Sequence, residues 1–265
     1  MKTYFVDAFT NQKFKGNPAA VCIVNKPLTE TTMQNIAKEI GFSETAFVNI
    51  ISDTSYGIRF FTPKKEIPLC GHATLASAKV IFETTGIDRI AFLNIENTEL
   101  DIEKAGAKIK MQFPVYDTEG IKVPESMLNA LGIDSIIASR YNAENKIILI
   151  EITSTDTLGK LYPDFVSLIK LYSGINGILV TAKAEDKIFD FHLRYFWPWA
   201  GTNEDPVTGA VQTFLTKYWV EKLHKSKLEF FQSSERTGIM STELTNDKVD
   251  IYGEAQIVFE GIFKP

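Results

Sequence analysis

One passage occurs twice in the chain, 135 positions apart, and constrains the fold more than any other feature. The first copy runs Arg59-Phe60-Phe61-Thr62-Pro63 and leads to Cys70-Gly71-His72-Ala73-Thr74. The second runs Arg194-Tyr195-Phe196-Trp197-Pro198 and leads to Asp205-Pro206-Val207-Thr208-Gly209. Arg59 precedes Cys70 by the interval at which Arg194 precedes Asp205. In each copy a strand-like run and a loop set a reactive side chain ahead of a helix-like run. Two related halves are expected, with a thiol offered by one and a carboxylate by the other.

The helix-like runs are His72 to Phe82 and Val211 to Val220. Each is apolar nearly all round with one lysine inside it, Lys79 or Lys217. Such helices are buried, so each half must wrap its own. Strand-prone segments at Ile58 to Phe61, Lys108 to Phe113 and Gly177 to Ala182 can do so, and Lys187 to Tyr195 alternates like a half-buried strand. Thr29 to Ile40 predicts an amphipathic helix with Met33, Ile36, Ala37 and Ile40 on one face, Thr29 as cap and Gly41 as stop. Pro124 to Leu131 and Pro163 to Tyr172 predict peripheral helices. Pro114 to Pro124 marks the boundary. The halves are 1–115, completed by a C-terminal strand near 255–265, and 116–265, and they are expected to pack around a cleft.

The bulk numbers exclude several classes. The net charge is −5 without a long basic run, so no nucleic-acid partner is expected. No run approaches a membrane span, and the start Met1 to Phe9 reads as a strand rather than a signal peptide. A cytoplasmic protein with no membrane partner follows. Two cysteines make no disulfide framework. The three histidines lack partners at metal-ligand spacing, so no metal is expected.

Cys70 and Asp205 stand before the two buried helices, whose N-termini carry free N–H groups and partial positive charge. Paired, such ends suit a substrate carboxylate and favour ionised Cys70 and Asp205. Taken singly, Cys70 is a small buried hydrophobe and Asp205 a helix cap. Glu44, between Phe42 and Phe47 at a loop-to-strand junction, is a candidate acid/base whose pKa burial would raise. His72 either shuttles a proton beside Cys70 or caps its helix. A cysteine-protease-like pair lacks a third orienting group. Asn17 in Gly16-Asn17-Pro18 either makes a turn or contacts a ligand. Trp197 and Trp199 either close over a substrate or pack as core.

These passages together resemble the PhzF family, the phenazine-biosynthesis-like proteins with the diaminopimelate epimerase fold. The resemblance rests on Val6-Asp7-Ala8-Phe9-Thr10, Phe14 to Cys22, Ser43-Glu44-Thr45-Ala46-Phe47-Val48, Arg59 to Pro63, Cys70 to Ala76 and Glu204 to Gly209. It implies an α+β fold of two pseudo-symmetric halves, each a mixed, mostly antiparallel sheet curled around a central helix. It also implies a homodimer and a cofactor-independent isomerase acting on a small carboxylate-bearing substrate. On this resemblance Glu44 is the principal acid/base, with His72 and Asp205 assisting. Ser43 and Asn17 are substrate contacts, and the amides around Gly71-His72-Ala73 and Thr208-Gly209-Ala210 form a carboxylate cradle. Ala210 stands where many relatives have serine. Two alternatives stay open: an amino-acid epimerase with Cys70 and Asp205 as opposed bases, and a non-catalytic ligand-binding protein of the same fold.

Overall fold

The computed structural model describes residues 1–264. The chain forms two compact units, Met1–Phe113 with Asp250–Pro265, and Pro114–Val249. No helix among the described residues is long and apolar enough to cross a membrane.

The first unit begins with β1 (Lys2–Ala8), β2 (Asn17–Ile23), α1 (Glu30–Ile40), β3 (Glu44–Ile50), β4 (Ser55–Phe61) and β5 (Glu66–Ile67). It continues with α2 (Gly71–Thr85), β6 (Arg89–Leu93), β7 (Glu99–Ala105) and β8 (Lys108–Pro114). Helix α1 forms as its sequence requires. The Thr29 hydroxyl accepts the Thr32 N–H, Gly41 ends the helix at φ 74°, and Met33, Ile36 and Ala37 are buried. The helix carries the chain from β2 to the parallel strand β3, and β4 then returns antiparallel.

Helix α2 is the centre of this unit. Its run from His72 to Ala78 is buried, with Val80, Ile81 and Phe82 beyond. Buried hydroxyls on such a helix need partners. Thr74 Oγ1 donates to Cys70 O at 2.8 Å and Ser77 Oγ to Ala73 O at 2.7 Å. The helix packs on β1, β2 and β3. Close approach also needs a missing side chain at Gly253, where a Cβ would stand 2.5 Å from Phe9 Cδ1 and 3.0 Å from Leu75 Cδ1.

The second unit contains β9 (Glu119–Gly120), α3 (Glu125–Leu131), β10 (Ala138–Asn142), β11 (Ile147–Ile152), α4 (Thr155–Lys160) and α5 (Phe165–Leu171). Then come β12 (Gly177–Lys183), β13 (Phe191–Trp197), a 3-10 turn (Pro198–Ala200), β14 (Thr202–Asp205), α6 (Gln212–Leu223), β15 (Lys227–Gln232) and β16 (Gly238–Thr245). Strand β17 (Lys248–Gly253) runs across the boundary between the units, and β18 (Ala255–Ile262) pairs antiparallel with β1. Helices α4 and α5 join the parallel strands β11 and β12, as α1 joins β2 and β3.

Two expectations for this unit change. The strand foreseen from Lys187 starts only at Phe191, because the Asp186 carboxylate takes the N–H groups of Ile188 and Phe189 and holds a turn there. Helix α6 is not buried all round. Its first turns and Trp219 are buried, whereas Lys217 and Lys222 reach the carboxylates of Asp117 and Glu151. Phe191 stacks between Trp219 and Phe230, with centroids 5.2 and 4.7 Å away, and Trp219 Nε1 donates to Thr181 Oγ1 at 3.1 Å. A buried indole needs such a partner. Trp199 is a packing residue: it lies against the apolar core of this unit and donates Nε1–H to Tyr172 O at 2.9 Å.

Both units carry the same strand plan. Arg59 lies opposite Phe47 and Arg194 opposite Val180. Tyr56 faces Phe92 in the parallel pair β4 and β6, and Phe191 faces Phe230 in β13 and β15. Each arginine grips the glutamate on the next strand with two hydrogen bonds. Arg59 Nε and Nη2 reach Glu66 at 2.6 and 2.7 Å, and Arg194 Nε and Nη2 reach Glu204 at 2.7 Å each. Each guanidinium also lies over the phenylalanine two residues on, Phe61 or Phe196. The doubled sequence is therefore a doubled clamp.

Candidate active site

The clamps correct the equivalence of Cys70 with Asp205. Phe61 pairs with Glu66 and Phe60 with Ile67, whereas Phe196 pairs with Glu204 and Tyr195 with Asp205. Asp205 thus occupies the place of Ile67. Continuing along each chain from the clamped glutamate, Cys70-Gly71 corresponds to Thr208-Gly209. The equal intervals in sequence arise because the turn containing Pro198–Ala200 is three residues longer than the turn after Phe61. The sequence does carry this alignment, as Glu66-Ile67-Pro68-Leu69-Cys70-Gly71 beside Glu204-Asp205-Pro206-Val207-Thr208-Gly209. Equal spacing from the arginines hides it.

In the first unit, three chemically active side chains meet. Glu44 opens β3 and Cys70 is the N-cap of α2, extended at φ −146° and ψ 112°, with His72 in the helix's first turn. His72 Nε2 lies 3.2 Å from Glu44 Oε2, and His72 Nδ1 lies 3.4 Å from Cys70 Sγ. All three are buried, Glu44 being 5% exposed, His72 7% and Cys70 8%. The third orienting group that the sequence lacked beside Cys70 and His72 is Glu44, brought from 26 residues upstream by the strand. His72 does not cap its helix; its ring bridges a thiol and a carboxylate.

The electrostatics differ from the expectation for Glu44 and for Cys70. Burial alone pushes the Glu44 carboxyl up, but the hydrogen bond and charge of His72 outweigh it and hold the pKa below its ordinary value. Burial drives the Cys70 thiol up despite His72 and the Ala73 amide, so the helix end does not leave a thiolate there. Burial opposes charge on His72 as well, yet Cys70 and Glu44 raise its pKa well above the usual histidine value. Glu44 and His72 thus each favour the charged form of the other.

The expected substrate contacts of this unit lie on the elements that carry the pair or on the strand beside them. Asn17 is fully buried at the start of β2, where Ala19 lies opposite Glu44. Ser43 adjoins Glu44, and its hydroxyl favours the carboxylate without reaching hydrogen-bond geometry. Gly71 and Ala73 lie in the first turn of α2, where N–H groups lack intrahelical acceptors. The Ala73 amide is directed to Cys70.

In the second unit, Asp205 ends β14 and is 8% exposed. It does not abut the helix, which starts only at Gln212. Its Oδ2 accepts the Thr208 hydroxyl at 2.6 Å. Gln232 locks the loop, donating Nε2–H to Asp205 O and accepting the Thr208 N–H, both at 2.8 Å. The Thr208 amide is thus spent within the protein, which removes it from the expected carboxylate cradle. Gly209 and Ala210 follow in the turn that opens α6, and Gly209 O accepts the Gln212 N–H at 3.0 Å. Nothing in the sequence singles out Gln232 as the holder of this loop; its counterpart Asn94 donates to Pro68 O at 3.0 Å.

The sequence profile of the phenazine biosynthesis-like proteins, PhzC/PhzF, matches residues 6–261. The chain belongs to this family. It is 40% identical over 259 residues to an uncharacterized isomerase of Halalkalibacterium halodurans, covering 96% of this chain and 95% of that one. It is 38% identical to a phenazine biosynthesis-like domain-containing protein of Bos taurus, covering 97% of each. The crystal structure of a PhzF-family phenazine biosynthesis protein from Enterococcus faecalis shares 35% identity, with a TM-score of 0.91 over 98% of this chain and 97% of that one. The fold is the two-half α+β fold of the PhzF family, and the chain is an enzyme of the isomerase and epimerase class.

Proposed function

We propose that this PhzF-family protein moves a proton on a small carboxylate-bearing metabolite by general acid/base catalysis without a cofactor. The observation that carries the reading is the buried contact of Glu44 with His72 at 3.2 Å beside the N-terminus of α2. The ionised Glu44 accepts a carbon-bound proton. The neighbouring imidazolium supplies positive charge where negative charge develops on the substrate, in a site shielded from water. The helix end offers N–H groups to the substrate carboxylate. Asp205 is assigned its assisting role by the family motif Glu204-Asp205-Pro206. The epimerase alternative with Cys70 and Asp205 as matched bases loses support, since burial raises the pKa of the thiol and the two residues are not equivalent in register.

A thermal-shift screen of small carboxylic acids tests this reading. A ligand at ~100 times its Kd stabilises the protein by about 2.7 kcal/mol. A bound acid that also protects Glu44→Gln supports separate binding and proton-transfer groups. A broad library in which only non-acidic compounds stabilise the protein overturns it.

A further inference from the structure

Strand β13 carries two hydrogen-bond donors that the second unit leaves without acceptors. The Tyr195 residue is only 4% exposed, yet its hydroxyl bonds to nothing among the described residues. The enclosed Trp197 Nε1–H lacks an acceptor as well. The two rings stand side by side, with centroids 5.9 Å apart and planes at 37°. Buried phenols and indoles ordinarily find partners, as Trp199 and Trp219 do in this unit. Two adjacent donors without one point to an acceptor that the chain does not supply. We propose that Tyr195 is a ligand-binding residue whose hydroxyl donates a hydrogen bond to an uncharged acceptor oxygen, a carbonyl above all, of a flat small molecule.

The phenol has a place made for it. A Cβ on Gly177 would stand 2.5 Å from the Tyr195 hydroxyl, so the glycine clears the space that the ring fills. The hydroxyl also belongs to this unit alone. Tyr195 follows Arg194 as Phe60 follows Arg59, and Phe60 is fully buried with no polar atom on its side chain. Phe60 lies opposite Ile67, whereas Tyr195 lies opposite Asp205.

That neighbour sets the chemistry. Burial and the Asp205 charge hold the Tyr195 pKa above its ordinary value, so the group stays a donor. The same charge disfavours an anion beside the phenol and selects a neutral oxygen over a carboxylate. The register of β13 against β14 shifts between Phe196 and Trp197. Such a shift re-aims a side chain, and here the indole stands beside the phenol. Two such aromatic faces favour a flat ligand. The site lies within the second unit and does not rest on the proton transfer proposed above.

Tyr195→Phe and two probes of one shape and different charge, benzamide and benzoate, test the site. Because the hydroxyl bonds to nothing in the protein, Tyr195→Phe is expected to unfold in urea at the wild-type midpoint or above it. In the wild-type protein, benzamide is expected to shift the NMR signal of the Trp197 indole N–H saturably, the signal being assigned by its loss in Trp197→Phe. Tyr195→Phe is expected to bind benzamide ~10-fold more weakly. Benzoate is expected to act on that signal at least ~10-fold more weakly than benzamide does. A lowered midpoint in Tyr195→Phe gives the hydroxyl a structural task and overturns the proposal. So does the absence of a saturable shift by benzamide, or equal affinity of the two proteins for it. None of these readouts involves proton transfer, so the site and the proposed reaction fail separately.

Discussion

Glu44 and Gly177 occupy the same register position, each opening the middle strand of its unit. Glu44 lies three residues before Phe47, the partner of Arg59, and Gly177 three before Val180, the partner of Arg194. The carboxylate is therefore present in one unit only. In the other its place is closed, because a Cβ on Gly177 would stand 2.5 Å from both Cε2 and the hydroxyl of Tyr195, a ring only 4% exposed. Gly177→Ala is expected to overpack this site and cost about 1–3 kcal/mol, read from urea unfolding. An unchanged midpoint would show that the Tyr195 ring moves freely.

The two arginine clamps share geometry but not surroundings. The Arg194 side chain is 11% exposed and also donates Nη1–H to Leu161 O at 2.7 Å, whereas the Arg59 side chain is 29% exposed. A lysine replaces neither the paired hydrogen bonds nor the carbonyl contact. Arg194→Lys is expected to cost about 2–4 kcal/mol and Arg59→Lys about 1 kcal/mol. Equal losses in chemical denaturation would contradict this ranking.

Cys22 sets an alkaline limit on stability. Burial pushes its thiol from 9.0 up to about 11, only partly offset by Thr3. Between those values the unfolded chain releases a proton that the folded chain keeps. Stability is thus full below the unfolded value and falls as pH rises through the window, by roughly 2–3 kcal/mol in all. Cys22→Ala is expected to show a shallower decline than wild type across that window. Parallel declines would exclude Cys22 as the source.

The Glu44–His72 pair has its own pH window. The lowered Glu44 pKa contributes stability above the ordinary carboxylate value that is lost as pH falls through the folded value. The raised His72 pKa contributes stability below the ordinary histidine value that is lost as pH rises through the folded value. The pair is intact between the two. In Glu44→Gln the His72 imidazole is expected to titrate at lower pH than in wild type, as followed by NMR of its ring protons. An identical titration in both proteins would mean that Glu44 does not hold the charge on His72.

Local signals in the chain were legible. The cap Thr29, the stop Gly41 and the apolar face of α1 define that helix in sequence, and the apolar run after Cys70 defines α2. Motif resemblance placed Glu44, which no periodicity singles out. What stayed hidden depends on pairing. The three-residue difference between the turns is visible only once Glu66 and Glu204 are seen opposite Phe61 and Phe196. Likewise, the pKa of Glu44 follows from His72, whose position beside it is set by the approach of α2 to β3. Burial of Glu44 among aromatics suggested the opposite direction, because desolvation is local in sequence and the compensating charge is not.

In the proposed reaction Glu44 carries the proton. Small carboxylic acids that stabilise the protein, incubated with it in deuterium oxide and followed by NMR, measure this most directly. Wild-type protein is expected to place solvent deuterium on a substrate carbon, and Glu44→Gln to do so at least ~10²-fold more slowly. Exchange by folded Glu44→Gln at the wild-type rate would mean that another group carries the proton.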